Sequence, residues 1–235
     1  MAASLAEPAA PPEGLEAIWA AIQTLSSSDF AAFNGEIGEL IVERGLGSRR
    51  YFPPGLERTP KPVMFPVVKP SDTLRIFVLG ESAAMGDPEP AFGFARILEV
   101  LLRDAMPGKK IEVINAAVTA INSHVIREIA KDCAGKGGDY WILYMGNNEV
   151  VGPFGAGTVF GDQTPSLGFV RANLALKTTR VGQLLDALRF KLSAKSGVPT
   201  SWEGMEMFLH QQVARSDPRL AKVYSHFDAN LRDIV

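Results

Sequence analysis

Ser82 closes the apolar run Ile76-Phe77-Val78-Leu79-Gly80-Glu81-Ser82, where the chain has to turn from a strand toward a helix. Asn148 closes a second such run within Gly146-Asn147-Asn148-Glu149, and between them the turn Asn115-Ala116-Ala117-Val118-Thr119-Ala120 closes a third. A hydroxyl, a turn of small residues and a carboxamide, each just past a strand end, are the parts of an acyl-transfer site. In such a site a serine attacks a carbonyl, and N–H donors hold the charge that develops on its oxygen. Each part also has a plainer use. A serine after a strand caps a helix, an asparagine there forms a turn, and small residues allow close packing. Their joint occurrence, in order and at comparable positions, is what points to chemistry.

Bringing three strand ends together requires a parallel sheet, because in open α/β sheets ligands bind beyond the carboxyl ends of the strands. From Leu74 the pattern fits one. Residues 75–79 read as a buried strand, and 91–105 as a helix with Phe94, Ile97, Leu98, Leu101 and Leu102 on one face. Pro107-Gly108 stops that helix. Residues 111–114 are the next strand, a helix follows through Val125, Ile126 and Ile129, residues 135–138 break it, and 140–144 are the third strand. This alternation predicts an α/β fold with a three-layer parallel sheet and right-handed crossovers.

The remaining segments are less regular. Residues 152–168 are glycine-rich and aperiodic, which predicts a long loop at the site. Helices are expected at 169–192 and 203–214, and Asp217-Pro218 is a cap and first-turn pair for a last helix. Leu220, Val223, Tyr224, Phe227, Leu231 and Ile234 make the apolar face of that helix. Upstream, short helices are expected at 15–25 and 30–44. Residues 51–70 hold six prolines and read as an extended arm over the domain surface. The organisation is thus residues 1–70, a disordered lead with short helices and a Pro-rich arm, then 71–235, an α/β domain with a helical insertion from about residue 156. Three strands are few for such a domain, and the last helix is still running at Val235, so the chain reads as cut short at its C-terminus.

Composition narrows the partners. In 235 residues, 46% are hydrophobic and 21% charged, with a formal net charge of -2. That balance gives no electrostatic case for nucleic acid or an anionic membrane surface. No apolar stretch is long enough to span a membrane, and the Ala-, Pro- and Glu-rich start lacks the basic head and apolar core of a signal peptide, which fits a cytoplasmic chain. The lone Cys133 excludes an internal disulfide and a cysteine-based metal site, and its helical context reads as a buried thiol.

Two familiar motifs do not fit the first block. Ala84 stands where the G-x-S-x-G elbow needs glycine, and no Gly-Lys-Ser/Thr follows Gly86, as a P-loop requires. The three blocks together instead resemble the GDSL or SGNH hydrolases. Gly80-Glu81-Ser82 is similar to the family's first block, with Glu81 where an aspartate is usual. The Asn115 to Ala120 turn resembles the second, with Ala120 where the family has its oxyanion-hole glycine, and Gly146-Asn147-Asn148-Glu149 matches G-x-N-D/E. The resemblance covers residues 74–155. Residues 144–155 look especially like larger bacterial proteins that join this domain to tetratricopeptide repeats, although no such repeat is visible here.

The resemblance implies a flavodoxin-like domain with Ser82 as nucleophile. The backbone N–H groups of Ser82 and Ala120 and the side-chain amide of Asn148 would form the oxyanion hole. The implied reaction is hydrolysis of a small-molecule, lipid or carbohydrate acyl ester through an acyl-Ser82 intermediate, with no metal or organic cofactor. The family's base is a histidine in a D-x-x-H block, and no aspartate in this chain is followed by histidine three residues later. His124 reads as a helix start and a wall residue at most, His210 as half-buried in a helix, and His226 as a helix-surface residue. Two readings are open: an N-terminal portion of a longer hydrolase whose D-x-x-H block lies beyond Val235, or a non-catalytic SGNH-fold binding or scaffold protein. The acyl group, the alcohol and the oligomeric state are not legible.

Overall fold

The strand that leads to Ser82 is the centre of the sheet. The computed structural model describes residues 51–52, 56, 58, 65–66, 68–179, 181–182, 184–185, 188 and 204–235; the helices expected at 15–25 and 30–44 lie outside the described residues. Strand β1 (Thr73–Gly80) lies between β2 (Lys110–Asn115) and β3 (Tyr140–Tyr144), and both neighbours run parallel to it. Helices α1 (Ser82–Met85) and α2 (Phe94–Ala105) follow β1, α3 (Ser123–Ala134) follows β2, and α4 (Leu167–Leu176) and α5 (Arg219–Ile234) follow β3. The chain is therefore of the α/β class, and among the described residues no helix is long and apolar enough to cross a membrane.

Successive strand side chains point to opposite faces, and β1 feeds two cores accordingly. Phe77 and Leu79 pack with Ile114 of β2 and with Val125, Ile126, Ile129 and Cys133 of α3. Val78 packs on the other side with Ala84 and Met85 of α1 and Ala95 of α2. A strand buried on both faces reads as an almost continuous apolar run, which is why β1 was legible. The first core reaches beyond the sheet: Tyr51, Phe52 and Leu56 belong to it, and Phe52 stands edge-on to Phe160 with ring centroids 4.9 Å apart. The described apolar residues at the start of the Pro-rich stretch are thus core residues, not a surface covering.

Three other expectations change. The apolar stripe of α2 is only partly used: Ile97 and Leu101 are 52% and 61% exposed, and Ala95 is the helix's buried residue. The cause is position, since α2 packs over β2, an edge strand of the sheet among the described residues. Residues 204–214, the described part of the segment expected as a helix at 203–214, do not form an α-helix. A 3-10 turn, Gly204–Phe208, seats Phe208 against Phe160, and the N–H of Gln211 bonds back to the Phe208 carbonyl at 2.9 Å to turn the chain. On α5 the buried stripe is Leu220, Val223, His226 and Asn230, while Tyr224 is exposed. Two polar residues displaced an aromatic because the helix docks on α3, whose first turn supplies them with partners.

The amino ends of the strands are held by a buried cation. Arg75 is fully buried. Its Nε donates to Glu112 Oε2 of β2 at 2.8 Å, its Nη1 to the Lys136 carbonyl at 2.5 Å, and its Nη2 to the Pro66 carbonyl at 2.8 Å. Its guanidinium also lies 4.8 Å from the ring centre of Phe65. One side chain thus satisfies β2, the turn before β3 and the incoming Pro-rich segment. Replacing it with an apolar residue takes the donor away from Glu112 Oε2 and from two carbonyls in the interior, and leaves Glu112 only the longer pair with Lys110 at 3.7 Å. Arg75→Met is expected to lower the unfolding free energy in urea by about 3 kcal/mol or more; a loss under about 1 kcal/mol would show that the strands do not depend on this residue.

Candidate active site

Glycine lets the carboxyl ends of β1 and β3 converge. A Cβ on Gly80 would sit 2.1 Å from the carbonyl oxygen of Tyr144, so only a glycine allows that approach. Gly146, at φ +118, turns the chain after β3 back toward β1. Glu81 then fastens the two ends. Its side chain is buried, with Oε1 accepting from the Gly146 N–H at 3.1 Å and Oε2 from the Asn148 N–H at 3.0 Å. Burial pushes its carboxyl up to about 7 and the nearby Glu149 adds to the rise, while the amide donors of Gly146, Asn148 and Asn147 pull it down.

Asn148 is gripped at both of its ends. Its N–H goes to Glu81, and its side-chain Nδ2 donates to the carbonyl of Ile121 at 3.1 Å. A carboxamide has two N–H bonds, so one hydrogen of Nδ2 is left over. The neighbouring Glu149 serves another purpose. Its Oε1 accepts from the Ser123 N–H and its Oε2 from the Ser123 hydroxyl, both at 2.7 Å, so it caps α3 from a distant part of the chain. Burial raises its pKa, and the two Ser123 donors lower it.

The three sequence-selected residues meet. Ser82, Ala120 and Asn148 line one pocket of about 40 Å³, which Thr119, Val151, Gly152 and Phe208 complete. That is room for a few waters or for a small group such as an ester carbonyl. Ala120 has φ +62, in the left-handed region that favours glycine. Its methyl does not prevent the conformation that a glycine would adopt there. Among the described residues, neither the Ser82 N–H nor the Ala120 N–H has an acceptor. Two free backbone donors, a spare amide hydrogen and a hydroxyl therefore border one small cavity.

None of the pocket's lining residues is a base. His124, the second residue of α3, is buried, and Asn230 Nδ2 donates to its Nδ1 at 3.0 Å. Burial first, then the charges of His226, Arg171 and Arg127, hold His124 down to about 3, so the ring is neutral and carries its proton on Nε2. His226 is buried too, its ring centre 5.4 Å from that of His124, rather than on the helix surface. Its pKa is lowered by burial, with Lys222 and Arg171 adding to the effect. His210 is exposed in the turn after the 3-10 helix, not half-buried in an α-helix. The histidines support α5 or face solvent.

Sequence reasoning singled out neither the bonding role of Glu81 nor the wall residue Phe208. A carboxylate between an apolar strand and a serine was a signal, because a charge there has to find donors; for Phe208 there was none. No protein-family model, curated protein or solved structure matches the chain.

Two outcomes test this geometry. Ala120→Gly is expected to keep or raise stability, by up to about 1 kcal/mol, whereas the β-branched Ala120→Val loses about 2 kcal/mol or more in thermal unfolding. Equal effects would mean that residue 120 is not strained. For Glu81 the sign comes from its raised pKa. The stability it contributes is complete below pH 4.5 and is lost as pH rises through about 7. Relative to Glu81→Gln, the wild type is therefore expected to lose about 3 kcal/mol between pH 4 and pH 8, at 1.36 kcal/mol for each unit of pH. Parallel pH–stability curves for the two proteins would remove the buried carboxyl from the account.

Proposed function

We propose that the chain is an SGNH-type serine hydrolase domain that cleaves acyl esters through an acyl-Ser82 intermediate. The observation that carries this reading is the single pocket formed by Ser82, Ala120 and Asn148, with Ala120 held at φ +62 although it is not glycine. In this reading the Ser82 hydroxyl attacks the ester carbonyl. The Ser82 and Ala120 N–H groups and the spare Asn148 amide hydrogen stabilise the oxyanion, and the alcohol leaves. Such donors typically contribute about 10²–10³ each in rate. The parallel order β2-β1-β3 supports a three-layer, flavodoxin-like sheet, because it sets a switch point between β1 and β3, where Ser82 and Asn148 lie.

The attack needs a proton acceptor for the serine. In this reading a histidine from outside these 235 residues takes the proton and later hands it to the leaving alcohol. A second reading, a non-catalytic binding module on the same fold, is favoured by one observation: no residue lining the pocket is a base.

A longer chain that carries a D-x-x-H block after Val235 separates the two. A fluorophosphonate probe is expected to label it, with labelling lost in Ser82→Ala. Asn148→Ala is expected to lower esterase rates on a small acyl ester by about 10²–10³ with the fold intact. Absence of labelling would leave the binding module, and an unchanged rate would take Asn148 out of the oxyanion hole.

A further inference from the structure

The helical pattern expected from residue 169 is interrupted after α4, and its restart turns apolar residues outward. α4 ends at Leu176, where the Lys177 N–H still bonds to the Asn173 carbonyl at 3.0 Å. Thr179 then caps a new helical stretch: its hydroxyl oxygen accepts from the Gly182 N–H at 3.0 Å, the bond a threonine makes at a helix start. Residues 181, 182, 184, 185 and 188 are helical, and Gly182 is the buried one among them. It has to be small, because a Cβ there would sit 2.0 Å from the Leu176 carbonyl oxygen and 3.1 Å from the Leu176 side chain. Val181, Leu184, Leu185 and Leu188, spaced i, i+3, i+4 and i+7, share one face of this stretch. Together with the adjoining Leu176 they are 49–69% exposed. Single exposed leucines are ordinary, but a whole helix face left outside the fold marks a contact with something else.

The sequence that carries this face selects the occupant. From Leu176 to Lys195 it holds the five basic residues Lys177, Arg180, Arg189, Lys191 and Lys195 against the single acidic Asp186, a net +4 in a chain whose formal total is -2. The whole-chain balance, which gives no electrostatic case for an anionic membrane, therefore hides a local excess of positive charge. A leucine face in a stretch rich in lysine and arginine is the pattern of a helix that lies in the plane of a membrane. Its apolar side chains enter the boundary of the acyl chains, and its cations meet the headgroups. A second copy of this chain would bring the same cations to the contact, where like charges oppose association. An anionic bilayer surface satisfies both the leucines and the charge. Such a helix lies on the bilayer, which agrees with the absence, among the described residues, of one able to cross it.

We propose that the exposed face formed by Leu176, Val181, Leu184, Leu185 and Leu188 docks on the surface of an anionic lipid bilayer, with the helical stretch lying in the membrane plane. The docking makes no use of the Ser82 pocket, so it stands or falls apart from the hydrolase reading.

The test is co-sedimentation of the 235-residue chain with unilamellar vesicles, made either of phosphatidylcholine alone or of phosphatidylcholine and phosphatidylglycerol at about three to one. The mixed vesicles are expected to bind about ten-fold or more tightly than the neutral ones. Raising the ionic strength from about 0.05 M to about 0.5 M is expected to remove most of that preference. Leu184→Glu combined with Leu188→Glu changes exposed positions outside the core, and it is expected to weaken binding to the mixed vesicles by about ten-fold or more, with an unchanged circular dichroism spectrum. Ser82→Ala is expected to bind as the wild type does. No binding to the mixed vesicles, equal binding to the two lipids, or indifference to the double substitution each overturns the docking. A chain that leaves vesicles alone and dimerises in sedimentation velocity, with the dimer lost in the double variant, overturns it in favour of a second copy on the same face.

Discussion

The Glu81 carboxylate is the constraint on which the site depends. β1 and β3 are paired neighbours, but their pairing ends with the strands, where β1 turns into α1 and β3 runs into a loop. By accepting from the N–H groups of both Gly146 and Asn148, Glu81 carries the β1–β3 contact past the last ladder bond. It thereby fixes Asn148 relative to Ser82, the residue next to it. A neutral side chain of the same size would accept fewer such bonds, and a shorter one would have to draw the strand ends closer. The cost is a buried carboxyl pushed up to about 7. Charge is thus suppressed at a place where the backbone donors would otherwise favour it.

The same strand carries its counterpart at the other end. Arg75 and Glu81 are both fully buried, one near each end of β1, and each bonds to segments far away in the chain. Between them β1 is apolar and packs on both faces, so the polar work is confined to its ends. Beyond Asn148 the tie continues. Glu149 caps α3 through Ser123, Asn230 Nδ2 of α5 donates to the Ser123 hydroxyl at 3.0 Å, and the same nitrogen reaches His124. Arg127 of α3 and Arg171 of α4 both pair with Asp233 of α5, at 2.6 and 2.8 Å. The last helix is therefore joined by hydrogen bonds to the loop that holds Asn148, with no part in the pocket itself.

Where local pattern sets the outcome, the sequence was readable. β1, β2, β3 and α3 are continuous apolar runs or clean helical stripes buried by near neighbours, and Ser82, Ala120 and Asn148 could be picked out because each follows such a run. The features that were not readable depend on partners far away in the chain. His226 and Asn230 look like surface positions on α5 until the first turn of α3 supplies a ring contact for the first and hydrogen bonds for the second. Ile97 and Leu101 look like core until β2 is seen to be an edge strand among the described residues. Phe52 and Leu56 sit in a stretch whose prolines forbid regular structure, and prolines say nothing about burial. Glu81 was visible as a departure from a family pattern, while its function as a clasp needed the positions of Gly146 and Asn148.

Ala120 shows how these ties act on the pocket. An alanine at φ +62 costs about 1–2 kcal/mol relative to ordinary backbone. The residues on either side of it explain why the chain accepts that cost. Before it, the Val118 N–H is bound to the carbonyl of Gly80 at 3.2 Å; after it, the Ile121 carbonyl is bound by Asn148 Nδ2 at 3.1 Å. The segment is pinned to the end of β1 on one side and to the carboxamide on the other, and the short span between has to turn left-handed. Among the described residues that turn leaves the Ala120 N–H without an acceptor, as the N–H of Ser82 is, and both residues line the same pocket. The pins are the same strand end and the same asparagine that position the hydroxyl and the amide. The donors around the pocket are therefore one mechanical unit, and moving any strand end would displace all of them together.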